Sequence, residues 1–180
     1  GQTLRADSAL LPIAYYLYHR KAPANYAVSN QFAADRAVIH SWLIRSLLKA
    51  SGIWGSGLDT FLTALREVIQ QKGEESFPAR ELELVMDARG KSLTFSPAEV
   101  EDMLSMQYGD KRMFALLSML FPFVNLRNQF HMDHVFPISR FTTAKLRKAG
   151  FAEDRIEDLA RMANELPNLQ LLEGTTNTEK

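Results

Sequence analysis

Residues 130–137 read FHMDHVFP, and residues 166–180 read LPNLQLLEGTTNTEK. These two stretches decide the fold expected at the end of the chain. The aromatic and apolar run over 129–136 predicts a short strand that stops before Pro137, whose missing amide cannot continue a ladder. Residues 168–172, NLQLL, alternate polar and apolar and predict a second strand. Gly174 then breaks it, and Thr175 or Thr176 caps a helix beginning near Asn177. Asn177 and Lys180 are three apart, so on that helix they share a face. Neighbours in a regular strand point to opposite sides, so Asp133 and His134 can serve one site only if the strand bends or ends there. Pro137 supplies such an ending.

The residue types define a chemistry. Hydrolysis of a phosphodiester needs a base for the attacking water, neutralisation of charge on the phosphate oxygens, and stabilisation of the leaving oxygen. A neutral imidazole can take the proton, because histidine ordinarily titrates near ~6.5. A carboxylate and an amide oxygen are hard ligands, suited to Mg²⁺ or Mn²⁺. A lysine can hold a phosphate as a point charge. His134, Asp133, Asn177 and Lys180 match those four roles.

The arrangement resembles the HNH endonucleases, whose fold is the ββα-metal unit. In that family a strand carries an Asp-His pair, a second strand begins at an Asn, and a short helix carries a final His or Asn. The gap from Asn168 to Asn177, followed by Lys180, is similar to the HNH domain of RNA-guided CRISPR effectors. The longer phrase, HMDHVFP through LPNLQLLEGTTN, looks closer to the C-terminal nuclease domain of GmrSD-type restriction proteins. Those are bacterial defence proteins that attack modified foreign DNA, and their N-terminal part is a ParB-like nucleotide-hydrolysing domain. The resemblance implies His134 as general base, and Asp133 and Asn177 as ligands to Mg²⁺ or Mn²⁺. It implies that Asn168 fixes the hairpin and holds the base histidine, and that Lys180 contacts phosphate. The partners it implies are DNA and a ParB-like domain in the parent chain. The last motif position is Asn177 rather than His, a variation that favours Mg²⁺-type ions.

Each residue taken singly has a plainer reading. An Asp-His pair is commonly a surface dipeptide, and an Asn before a strand is commonly a turn former. Their joint spacing carries the nuclease reading. His131 lies two residues from Asp133 and hence on the same strand face; it reads as a support behind the metal ligands, as a substrate contact, or as a packed or hydrogen-bonded structural histidine. His19 and His40 sit in helical patterns without an acidic partner at ligand spacing and read as structural. Two other functions stay open: a non-cutting DNA-binding or assembly module with a vestigial HNH unit, and a helical interaction domain.

The 180 residues, 46% of them hydrophobic, can bury a core. No apolar run reaches membrane-spanning length and no secretory signal is present. The lack of cysteine excludes disulfides and thiolate metal sites and fits a cytoplasmic protein. Lysine plus arginine number 21 against 21 acidic residues, so the overall charge offers no basic footprint for DNA. Arg140, Lys145, Arg147 and Lys148 nevertheless form a run without acid, which reads either as a DNA contact or as a solvated helix face. Lys111, Arg112 and Arg127 lie upstream. The chain has no initiating Met and stops at Lys180 inside the expected last helix, so it reads as a fragment of a longer protein, folded but weakly active or inactive as a nuclease, with Gly1 as a cloning scar.

The first two-thirds read as helices. Residues 9–20 form a short apolar helix, bent near Pro12. Residues 30–52 form a second, capped by Ser29 or Asn30 and stopped at Gly52; residues 57–73 form a third that ends at Gly73. A fourth starts at Pro78 and ends at Gly90. Ser96-Pro97-Ala98-Glu99 is a capping box, and residues 111–123 are the most apolar stretch and read as buried. Two further helices separated by Gly150 fill the space between the motif halves. The expected fold is mainly α (α+β): a helical bundle over 1–128 and an HNH ββα-metal unit over 129–180, with a helical insertion over 140–165.

Overall fold

A computed structural model describes residues 7–121 and 130–173. It is mainly helical with one small antiparallel sheet. The helices are α1 (Leu10–His19), α2 (Ala33–Leu48), α3 (Ala50–Ile53), α4 (Leu58–Lys72), α5 (Ala79–Asp87), α6 (Pro97–Leu104), α7 (Met113–Leu120), α8 (Thr143–Lys148) and α9 (Glu153–Met162). The strands are β1 (Phe130–His134) and β2 (Leu169–Glu173). Two compact units result, Gly1–Phe95 and Ser96–Lys180. Helices α6 and α7, whose sequence reads as part of the bundle, therefore belong to the unit that carries the strands.

The first unit is built on the apolar stripe of α4. Phe61, Leu65 and Ile69 recur every four residues and are fully buried, as that period requires of one helix face. Tyr16, Trp42, Leu82 and Met86 complete the core from α1, α2 and α5. Gly73 closes α4 where a Cβ would lie 2.6 Å from the Ile69 carbonyl oxygen, so no larger residue fits. Two local expectations shift. Pro12 falls in the first turn of α1, where the amide it lacks would have no intrahelical partner. The helical run over 33–53 is interrupted at Lys49 and ends at Ile53, one residue after Gly52, so α3 is a separate short turn; Gly57, whose φ of 70° suits glycine, then leads into α4.

A polar knot sits beside this core. The Asp35 carboxylate accepts from Tyr16 Oη (2.5 Å), Tyr26 Oη (2.6 Å), Arg20 Nη1 (2.6 Å) and the Phe77 amide (2.7 Å). The Arg20 and Asp35 side chains are only 11% and 10% exposed. Burial alone would push the Asp35 carboxyl up, but the Tyr16, Tyr26 and Phe77 hydrogen bonds and the Arg20 charge outweigh it and hold it below the ordinary value.

In the second unit Ser96 caps α6 as its sequence predicts. The Ser96 hydroxyl accepts from the Glu99 amide (3.3 Å), and the Glu99 carboxylate accepts from the Ser96 amide (2.8 Å). Helix α7 buries Met113, Ala115, Leu116 and Leu117 and packs against β2. The strands pair from Phe130↔Glu173 to His134↔Leu169. The chain between them is no tight turn: α8 and α9 occupy it, anchored by Leu146 and Ile156, both buried.

Candidate functional site

The site is organised by the end of β1. His134 is its last residue, paired with Leu169, and Asp133 precedes it opposite Gln170. Both residues are still paired in the ladder, and the strand ends at His134. One further ladder bond follows, from the Val135 amide to the Asn168 carbonyl at 2.8 Å. Beyond it the backbone has no strand partner, and the Asn168 side chain takes over. Its Oδ1 accepts from the Phe136 amide (2.8 Å), and its Nδ2 donates to the Phe136 carbonyl (3.0 Å) and to the Ala163 carbonyl (2.8 Å). Asn168 is 6% exposed, so these groups have no water to fall back on. All its side-chain bonds go to main chain. Asn168 is a clamp that locks the turn after His134 to the end of α9.

His134 is held from two directions. Its Nε2 lies 3.1 Å from Asn164 Oδ1, and its ring faces that of Tyr108, with centroids 4.7 Å apart and planes tilted by 34°. The two supports are joined to each other. The Tyr108 amide donates to the Asn164 carbonyl at 2.7 Å, and Gln107 forms an isolated antiparallel bridge with Glu165. Neither Tyr108 nor Asn164 carries a sequence signal. Tyr108 sits in a turn before Gly109, Asn164 follows α9, and only the tertiary pairing brings them to the imidazole.

The remaining expected residues fall as follows. His131 is exposed on β1 opposite Leu172. Asn177 and Lys180, with the expected final helix, lie outside the described residues. Among the described residues no three His, Asp or Glu side chains gather as a metal cluster. The basic run is partly occupied within the protein. Arg147 binds the Glu153 carboxylate through Nε and through Nη2 (2.9 Å). Those bonds hold the guanidinium pKa above and the Glu153 pKa below their ordinary values. Lys145 Nζ donates to the Ser139 carbonyl at 2.8 Å. Arg140 is exposed at the end of the 3-10 turn Ile138–Arg140, and Lys148 at the end of α8. Upstream, Arg112 is engaged by Asp102 (2.8 Å) and Asp110 (3.3 Å).

No described helix is long and apolar enough to cross a membrane. Comparison with protein-family profiles and with curated proteins finds no match to this chain.

Proposed function

We propose that this chain is a metal-dependent DNA endonuclease or nickase of the HNH kind, acting in bacterial restriction or anti-phage defence beside a ParB-like domain of its parent protein. The observation that carries the reading is the clamped strand end: His134 closes β1 while Asn168, at the start of the antiparallel partner, fixes the backbone just beyond it. A base must keep its lone pair in a fixed place to take a proton from water as the oxygen attacks phosphorus. His134 takes that proton.

The donor set fits a hard divalent ion. Asp133 contributes a half-buried carboxylate one residue before the strand end. Asn177 contributes an amide oxygen. One or two protein oxygens, with the other positions left to water and phosphate, is the ordinary way of holding Mg²⁺, and Mn²⁺ accepts the same ligands. When bound, the ion supplies Lewis-acid stabilisation of the leaving oxygen. Lys180 is assigned to a phosphate oxygen and exposed Lys148 and Arg140 to the DNA backbone.

The test is conversion of supercoiled plasmid by the purified chain in Mg²⁺, in Mn²⁺ and in EDTA. Nicked or linear DNA with either ion and none with EDTA supports the reading. DNA binding without cutting in any metal would instead mark a non-cutting binding or assembly module.

A further inference from the structure

We propose that Asn164 is a positioning residue that holds His134 in its Nε2–H tautomer and so presents an unprotonated Nδ1 to the site; that Nδ1 is the atom receiving the water proton rests on the nuclease reading. An amide oxygen only accepts hydrogen bonds. With Asn164 Oδ1 at 3.1 Å, the His134 Nε2 must therefore carry the proton. A neutral imidazole has one N–H, so the lone pair then lies on Nδ1. Without this contact the tautomer and the ring angle are both free, and a base with its lone pair on the wrong nitrogen does not work.

Asn164 is itself held at several points. Its amide donates to the Arg161 carbonyl (3.1 Å), and its carbonyl accepts from Tyr108 (2.7 Å). Its neighbour Ala163 is tied through its carbonyl to Asn168 Nδ2 (2.8 Å). Tyr108, seated on the same joint, limits rotation of the imidazole from one face. The helical connection between the strands thus ends in a brace. Asn168 fixes the backbone after His134 and the end of α9 at once, and the residue following that anchor reaches the imidazole.

The test reads the tautomer directly, by long-range ¹H–¹⁵N correlation of the imidazole nitrogens at a pH well above ~6.5. The His134 signals are assigned by their loss in His134→Gln. The wild type is expected to show the Nε2–H pattern alone. Asn164→Asp keeps an acceptor oxygen and should keep that pattern. Asn164→Ala should show both tautomers, with kcat for plasmid cleavage lower by ~10-fold or more and KM for DNA unchanged, the size of effect seen for partners that orient a working imidazole. An Nδ1–H pattern in the wild type would overturn the proposal, and so would an unchanged pattern in Asn164→Ala. If that variant does not fold, the wild-type and Asn164→Asp spectra still decide. A pinned Nε2–H tautomer in a protein that cuts no DNA in any metal would leave the positioning role standing and remove the nuclease reading.

Discussion

Asn168 grips the main chain of Phe136 with both ends of its side-chain amide, accepting from its N–H at 2.8 Å and donating to its carbonyl at 3.0 Å. The amide thereby imitates one more residue of β2 and continues the ladder past the last true pair, His134↔Leu169. Phe136 itself is 64% exposed, so its backbone is fixed by this grip rather than by burial of its ring.

Removing the grip should loosen the second unit. Asn168→Ala leaves the Phe136 amide and two carbonyls without their partner, at ~1–3 kcal/mol for each group that stays dry. Asn168→Asp should be no milder, because a carboxylate would face two carbonyl oxygens where Nδ2 now donates. Native-state hydrogen exchange checks this: the Phe136 amide should lose most of its protection in Asn168→Ala, which has no acceptor for it. Wild-type protection there would mean that the clamp is idle.

In the first unit, Asp35→Asn should cost ~3–5 kcal/mol, since Arg20 would remain buried opposite a neutral group. The pH dependence has a fixed sign. The Asp35 pKa is lowered in the folded protein, so its contribution is present above the unfolded value of ~3.9 and fades as pH falls through the folded value. Urea unfolding followed by tryptophan fluorescence below pH ~4 should therefore weaken faster for the wild type than for Asp35→Asn.

The alkaline side runs the other way. Burial, then the hydrogen bond to Asp35 and the repulsion of its charge, raise the Tyr16 and Tyr26 hydroxyls well above their ordinary value. Both groups are held neutral, so their contribution is complete below pH ~10 and is lost as pH rises beyond it. Tyr26→Phe should flatten the loss of stability above pH ~10 while lowering stability at neutral pH by ~1 kcal/mol for the missing hydrogen bond. An alkaline limb unaltered in Tyr26→Phe would contradict the network.

If DNA runs past α8 and the short turn Ile138–Arg140 before it, the basic residues there are not equivalent. Lys148→Ala and Arg140→Ala should each lower the salt dependence of DNA binding by about one phosphate contact. Arg147→Ala should change it less, because Glu153 already holds that guanidinium. Fluorescence anisotropy across a salt series distinguishes them, and a larger loss for Arg147→Ala would show that the ion pair opens for DNA.

The sequence announces what local physics determines. The stripe of Phe61, Leu65 and Ile69 and the Ser96–Glu99 capping box each stabilise their own element and lie where the pattern puts them, and the strand expected over 168–172 forms one residue later, as Leu169–Glu173, with Asn168 in the turn before it. The first strand is legible through its composition and the nearby proline, but it stops at His134, two residues short of the expected run over 129–136. What was not legible depends on distant partners. Tyr108 and Asn164 meet His134 only because Gln107 bridges Glu165. Arg147 looked like part of an unpaired basic run until the chain turned at Gly150 and brought Glu153 to it. The stop near Gly52 is legible to within one residue, since the run ends at Ile53, but the break at Lys49 that divides it into α2 and α3 carries no glycine or proline to announce it.

The central claim is that His134 is the base of a metal-dependent nuclease, and one comparison tests it most directly: plasmid cleavage in Mg²⁺ by the wild type and by His134→Ala, each shown by circular dichroism to be folded. The account predicts metal-dependent nicking by the wild type and a rate lower by ~10²–10⁴ in the variant, the usual contribution of a positioned general base. Equal cleavage by the two proteins would contradict it.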